Sequence, residues 1–333
     1  MLILRRVIVT VAVTLVVLTV AVVGVWLWQK PILLTGTGYA AHNACAVTDL
    51  AGRENPETDL PDNPLVPYLQ LDVEGDKTAG TIEGLIAQQN AWYTEGFGCT
   101  ISADRPALGD ASPISADGNP FTNAATPASV PALDDAISAA FGDDLSAADA
   151  AALGTRAVVI VKNGELVAER YADGFDKDTP QLGWSMSKSA TDLMTGMLVK
   201  QGVISLDDDH LRPEWTDGRA DITVENLLRM ESGLEWDETY DLGTPITRML
   251  YLEKDMGGYV ASLPLESKPG TVQEYSSGST TLLCSVLTER TGLGADLPRQ
   301  TILRTLGLSS AVFEPDAVGT PVCSSYLWMT PRD

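Results

Sequence analysis

The sequence predicts an α+β protein, a helical subdomain plus an antiparallel sheet, preceded by one N-terminal transmembrane helix. Three observations predict it. Residues 7–28 form a 22-residue run without a charge. Two β-rich segments, 157–162 and 165–170, flank Asn163-Gly164. At least four later segments carry the periodicity or the end signals of helices.

The apolar run is interrupted only by Thr10, Thr14, Thr19 and Gly24. As a helix rising ~1.5 Å per residue it measures about 33 Å, enough for a hydrocarbon core of ~30 Å. Arg5 and Arg6 precede it, Trp26 and Trp28 sit near its far end, and Lys30 follows. That polarity places the N-terminus inside and the body outside the cytoplasm, periplasmic or at the cell surface. A cleaved leader usually has an apolar region of only about 7–15 residues and a small-x-small site. Neither feature is present here, so the run reads as an uncleaved single-pass anchor within residues 1–30.

Residues 31–130 read as an extracytoplasmic extension and linker. The first part, to about 100, is loop-rich, with turn signals at Asn55-Pro56 and over 61–64; residues 100–130 turn to Pro, Ala, Ser, Asp and Gly. Cys45 and Cys99 both fall in this extension and are candidates for a disulfide, which helps most where a core is small. Cys284, within Leu282-Leu283-Cys284-Ser285-Val286-Leu287, reads as a buried apolar filler. No CxxC or paired-histidine spacing supports a metal, and no cofactor motif is present.

The third region, 131–333, begins with a helix in which Leu133, Ile137 and Phe141 recur at four-residue steps. Asn-Gly between two β-rich runs predicts a hairpin, because both turn residues take positive φ. Further helices are expected over 186–201, over 225–230 behind the capping residue Thr223, and over 280–290 before Thr291-Gly292. One hairpin against four helices leaves the sheet short of strands, since an isolated pair is marginal in water.

Charge and composition narrow the function. A net charge of −23 argues against nucleic acid, because phosphate binding needs clustered Lys and Arg, and the sequence offers only Arg5-Arg6. The apolar content of 44% supports a packed core. A histidine-based triad is disfavoured. The two histidines are His42, near the membrane, and His210, beside Asp207-Asp208-Asp209.

Candidate chemistry begins at Trp184-Ser185-Met186-Ser187-Lys188. Ser185 at a helix start puts Lys188 one turn later on the same face. A serine hydroxyl is a weak nucleophile and needs a neighbouring base, which an unprotonated lysine amine supplies. The helix N-terminus also turns backbone N–H groups toward a developing oxyanion. Of the eight lysines, only Lys188 has serine three residues before it. Of the nine tyrosines, only Tyr275 is followed two positions later by Ser or Asn. Tyr275 is thus a candidate proton shuttle, and Ser277 a candidate ligand of both lysine and substrate.

With these motifs, residues from about 131 onward resemble the serine β-lactamase and penicillin-binding superfamily, in its class C-like esterase and amidase branch. Ser185-x-x-Lys188 matches the first motif of that group, and Tyr275-Ser276-Ser277 its second. Residues 222–228, followed by Ser232-Gly233-Leu234, resemble the segment between them. Tyr275-Ser276-Ser277-Gly278 with Leu282-Leu283 is similar to the 6-aminohexanoate-dimer hydrolases. The resemblance implies a serine hydrolase that cleaves a small-molecule amide or ester through an acyl-enzyme on Ser185. It leaves open a peptidoglycan- or β-lactam-directed enzyme and a catalytically silent scaffold. The family's later Lys/His-Thr-Gly strand has no match after Tyr275, so the sequence reads as a C-terminally truncated version of that domain.

Overall fold

A computed structural model describes residues 2–54, 56–60 and 64–333; of the turn signals named above, Asn55 and residues 61–63 lie outside these. The first helix, α1, runs Leu2–Cys45 and is continued by a π-helical turn, Ala46–Leu50. It therefore does not stop near residue 28, as the hydropathy implied, but passes through Pro31 for a further 14 residues. A proline in a helix interior removes one backbone donor, and glycine is a poor helix former. Both costs are offset here by close packing. A Cβ on Gly38 would lie 2.3 Å from the Tyr251 carbonyl oxygen, and one on Gly80 would lie 2.4 Å from that of Thr37. The Thr37 hydroxyl donates to the Ala87 carbonyl at 2.6 Å. Small residues at 35–41 thus let the helix touch backbone on two sides.

The segment read as loop-rich is instead a four-stranded antiparallel meander: β1 Leu69–Glu74, β2 Lys77–Ile82, β3 Ile86–Thr94 and β4 Gly98–Ile101, paired in that order. Its inner residues Ala79, Ala91 and Phe97 are buried, whereas β1 is largely exposed. Cys45, at the end of α1, is disulfide-bonded to Cys99 of β4.

The remaining elements are α2 Pro131–Phe141, α3 Ala147–Leu153, the hairpin β5 Ala157–Lys162 and β6 Glu165–Tyr171, β7 Gln181–Leu182, α4 Ser187–Lys200, α5 Val224–Leu228, α6 Pro245–Leu252, α7 Met256–Ser262, α8 Ser277–Thr291, α9 Arg304–Leu306, β8 Val312–Phe313 and β9 Leu327–Met329. The hairpin turns on Asn163 (φ 53°) and Gly164 (φ 80°). Among the described residues β5 and β6 pair only with each other, while β9 joins β7 and β8 in a second small sheet. Thr223 caps α5 in a capping box with Asn226, and Gly292 ends α8 in the left-handed conformation.

The main core lies between α4, α6 and α8, where Met194, Met249, Leu250, Leu283 and Leu287 are fully buried. Cys284 is not a filler there. It forms a disulfide with Cys323, tying α8 to the approach to β9. The linker over 100–130 lies against the body: Asn119 donates to the Asp333 carboxylate at 2.7 Å, and a Cβ on Gly307 (φ 68°) would meet the Gly118 nitrogen at 2.6 Å. Glu314 joins the two halves. Wholly buried, it accepts from Cys99 N–H at 2.7 Å and from Trp328 Nε1 at 2.9 Å. The ring nitrogen of His42 lies 3.0 Å from the same carboxylate, so His42 is a buried contact.

Candidate active site

Ser185 sits in a 3-10 turn, Trp184–Met186, that feeds directly into α4. Gly183 N–H donates to the Leu327 carbonyl at 2.7 Å, which fastens the turn to β9. Trp184 has φ 44°, a conformation that costs a non-glycine residue energy and persists only where surroundings enforce it. The Ser187 hydroxyl closes the turn onto the Trp184 carbonyl at 2.5 Å. Ser185 is left exposed on the outer side.

Lys188 is half-buried one turn along. Its Nζ lies 3.1 Å from Ser185 Oγ, 3.0 Å from Ser277 Oγ and 3.0 Å from the Ser324 carbonyl oxygen. Ser277 comes from the first residue of α8, three residues earlier than the helix start expected from sequence. Ser276 makes that start possible, because its hydroxyl accepts from Ser279 N–H at 3.0 Å as the N-cap. Tyr275, just outside the helix, presents its ring to Lys188 with Nζ 4.9 Å from the ring centroid, and it is half exposed. The contact between them is thus with the ring face.

Sequence reasoning missed Glu238. Its carboxylate accepts from Ser277 Oγ at 2.5 Å, from Ser277 N–H at 2.9 Å and from Trp236 Nε1 at 2.5 Å. A Cβ on Gly278 would lie 2.6 Å from the Trp236 ring, so the bare glycine lets the indole seat itself and bring Glu238 to α8. Ser277 therefore spends its own hydrogen on Glu238 and must accept from Lys188. Tyr240 was missed as well. Burial, and next the Glu238 carboxylate, push its phenol up to about 12, so it remains a donor. Its ring meets Trp184 edge-on at 5.9 Å. No motif spacing marks either residue; only the fold brings the 236–240 loop over α8. His210 lies apart, exposed and paired with Asp209 at 2.7 Å, which raises its pKa.

Proton accounting shows what the cluster can do. An unprotonated lysine amine has two hydrogens and one lone pair. Were Lys188 unprotonated, Ser277 Oγ and the Ser324 carbonyl would take its two hydrogens and leave its lone pair for the Ser185 hydroxyl.

The beta-lactamase family model matches residues 143–333. Among solved structures, a Bacillus anthracis protein assigned as a 6-aminohexanoate-dimer hydrolase is similar at 21% identity and a TM-score of 0.51, over 68% of this chain and 63% of that one. A Bacteroides dorei DSM 17855 protein assigned as a beta-lactamase gives 22% identity and 0.48, over 61% and 60%. The D-amino acid amidase of Ochrobactrum anthropi SV3, complexed with L-phenylalanine amide, gives 19% and 0.46, over 60% and 68%. At these identities the likeness is one of fold. This chain spans less than two thirds of the length of the first two. No curated protein matches it.

Proposed function

The chain belongs to the beta-lactamase family, and on that premise we propose that it is a serine hydrolase that cleaves an amide or ester through an acyl-enzyme on Ser185. The carrying observation is the three-way contact of Lys188 with Ser185, Ser277 and the Ser324 carbonyl. Ser185 Oγ adds to the substrate carbonyl carbon as its proton passes to Lys188 Nζ. The backbone N–H of Ser185, at the mouth of the turn, donates to the oxyanion. Collapse breaks the bond to nitrogen or oxygen, and the departing group takes a proton from Lys188 through the Tyr275 hydroxyl. Water then adds to the acyl carbon with Lys188 again accepting the proton, and as the bond to Ser185 Oγ breaks, Lys188 returns that proton to Oγ and the free acid leaves. Glu238 acts through Ser277, fixing which way that hydroxyl points.

We propose further that the exposed part of α1 anchors the chain in a membrane with the body on the oxidising side. The long apolar helix and the two disulfides support this reading.

A fluorophosphonate probe tests the first proposal. Label is expected on Ser185, to be absent in Ser185→Ala, and to form about 100-fold or more slowly in Lys188→Ala, within the range for loss of a general base. Label that survives Ser185→Ala would sink the assignment.

A further inference from the structure

Beside Ser185 lies a cleft of about 990 Å³, at the upper end of the size range of small-molecule sites. One wall is Trp184 and Ser185. The same cleft is lined by α1, through Gln29, Ile32 and Leu33, and by Leu65 and Leu242. The helix that carries the apolar run is therefore also part of the lining of the site. Gly243 brings the 240–244 loop onto it, since a Cβ there would meet Ile32 at 3.3 Å.

Height is fixed by the same helix. Trp28, 71% exposed, ends the apolar run, and Gln29, the next residue, already lines the cleft. Leu33 lies five residues beyond Trp28, a rise of about 7–8 Å. Tryptophan and lysine at 26–30 are the residues that settle at a membrane–water interface. A bilayer around residues 11–28 thus ends where the cleft begins. The lining is mostly aliphatic and aromatic, with Ser185, Gln29, Asp241 and Thr247 among it, and Lys188 lies outside it, 3.1 Å from Ser185 Oγ. Among the described lining residues the one ionisable acid is Asp241, which disfavours an anionic ligand.

From this arrangement we infer that the substrate is a neutral amphiphile, an amide or ester carrying a long alkyl or acyl chain. The chain lies along α1 in the cleft and enters from the bilayer interface, while the carbonyl reaches Ser185. This rests on the hydrolase and membrane readings above and adds the substrate class.

The test uses the full chain in phosphatidylcholine nanodiscs with ethyl and dodecyl fluorophosphonates. Dodecyl label is expected on Ser185 at least tenfold faster, since each buried methylene favours binding roughly fourfold. Leu242→Trp, which fills the cleft, should bring the ratio toward one. Val22→Ser, on the exposed run, should leave it unchanged. Equal rates for the two probes in the unaltered chain would overturn the inference. If neither probe labels, the nucleophile assignment has failed, and a dodecyl amide with a mid-chain diazirine still decides the cleft. Adducts on Leu65 or Leu242, removed by excess unlabelled dodecyl amide, support it; adducts confined to residues 11–28 overturn it.

Discussion

The two halves of α1 invert the usual relation between size and burial. Along 11–28, valines, leucines and Trp28 stand 48–71% exposed. Along 35–45, the buried residues are Thr35, Gly36, Thr37, Gly38, Ala40, Ala41, His42, Ala44 and Cys45, all of them small but His42. Large aliphatics are normally the residues a soluble protein hides, and a contiguous exposed patch of them marks contact with something apolar. Small residues are what a helix needs to meet backbone directly. The outer half is thus selected for its solvent, and the inner half for fit against β2, β3 and α6. Apolar content alone does not distinguish them.

The contrast can be broken at the inner half's end. Replacing Cys45 and Cys99 together by alanine opens a link of sequence separation 54, which by loop closure costs about 4 kcal/mol. Thermal unfolding of the detergent-solubilised chain should show a large fall in Tm; an unchanged Tm would mean that the meander does not depend on α1. A matched pair sharpens the comparison. Gly38→Leu puts atoms where the Tyr251 carbonyl already is and should cost about 3 kcal/mol. Val20→Leu, at a residue 65% exposed, should leave the unfolding free energy within about 0.5 kcal/mol of the parent. The smallest effect compares two threonines. Thr37 donates to the Ala87 carbonyl in a buried setting, whereas Thr19 donates to Leu15 on the exposed face. Thr37→Ala should cost about 1–2 kcal/mol and Thr19→Ala a small fraction of that in the unfolding of the body. Equal costs would remove the distinction between the halves.

What was legible in the sequence was what a few adjacent residues enforce. The hairpin at Asn163-Gly164 follows from two positive φ angles, and the α5 start from one capping box. The Ser185–Lys188 relation follows from one helical turn, and the geometry places them 3.1 Å apart. The course of α1 beyond Trp28 was not legible. Pro31, Gly36 and Gly38 argue locally for an end, and only the close approach of Tyr251 and Gly80 explains why the helix continues. The Cys284–Cys323 bond joins residues that no local pattern relates. Glu238 was hidden for a similar reason: its meaning depends on Trp236 resting on Gly278, a contact across some forty positions of sequence.

Glu314 has a practical bearing on how this molecule can be divided. The family match begins at residue 143, and trimming the chain to that point would be the obvious way to isolate the matched part. Such a version would lose Cys99 N–H and His42 from around the Glu314 carboxylate and uncover Trp328, which packs with Ala41, Cys45, Ala91 and Cys99. It would also strip Asn119 from Asp333 and Phe121 and Ala124 from Arg332. A shortened form is therefore best cut within α1, ahead of its buried half, so that the meander travels with the family-matched body.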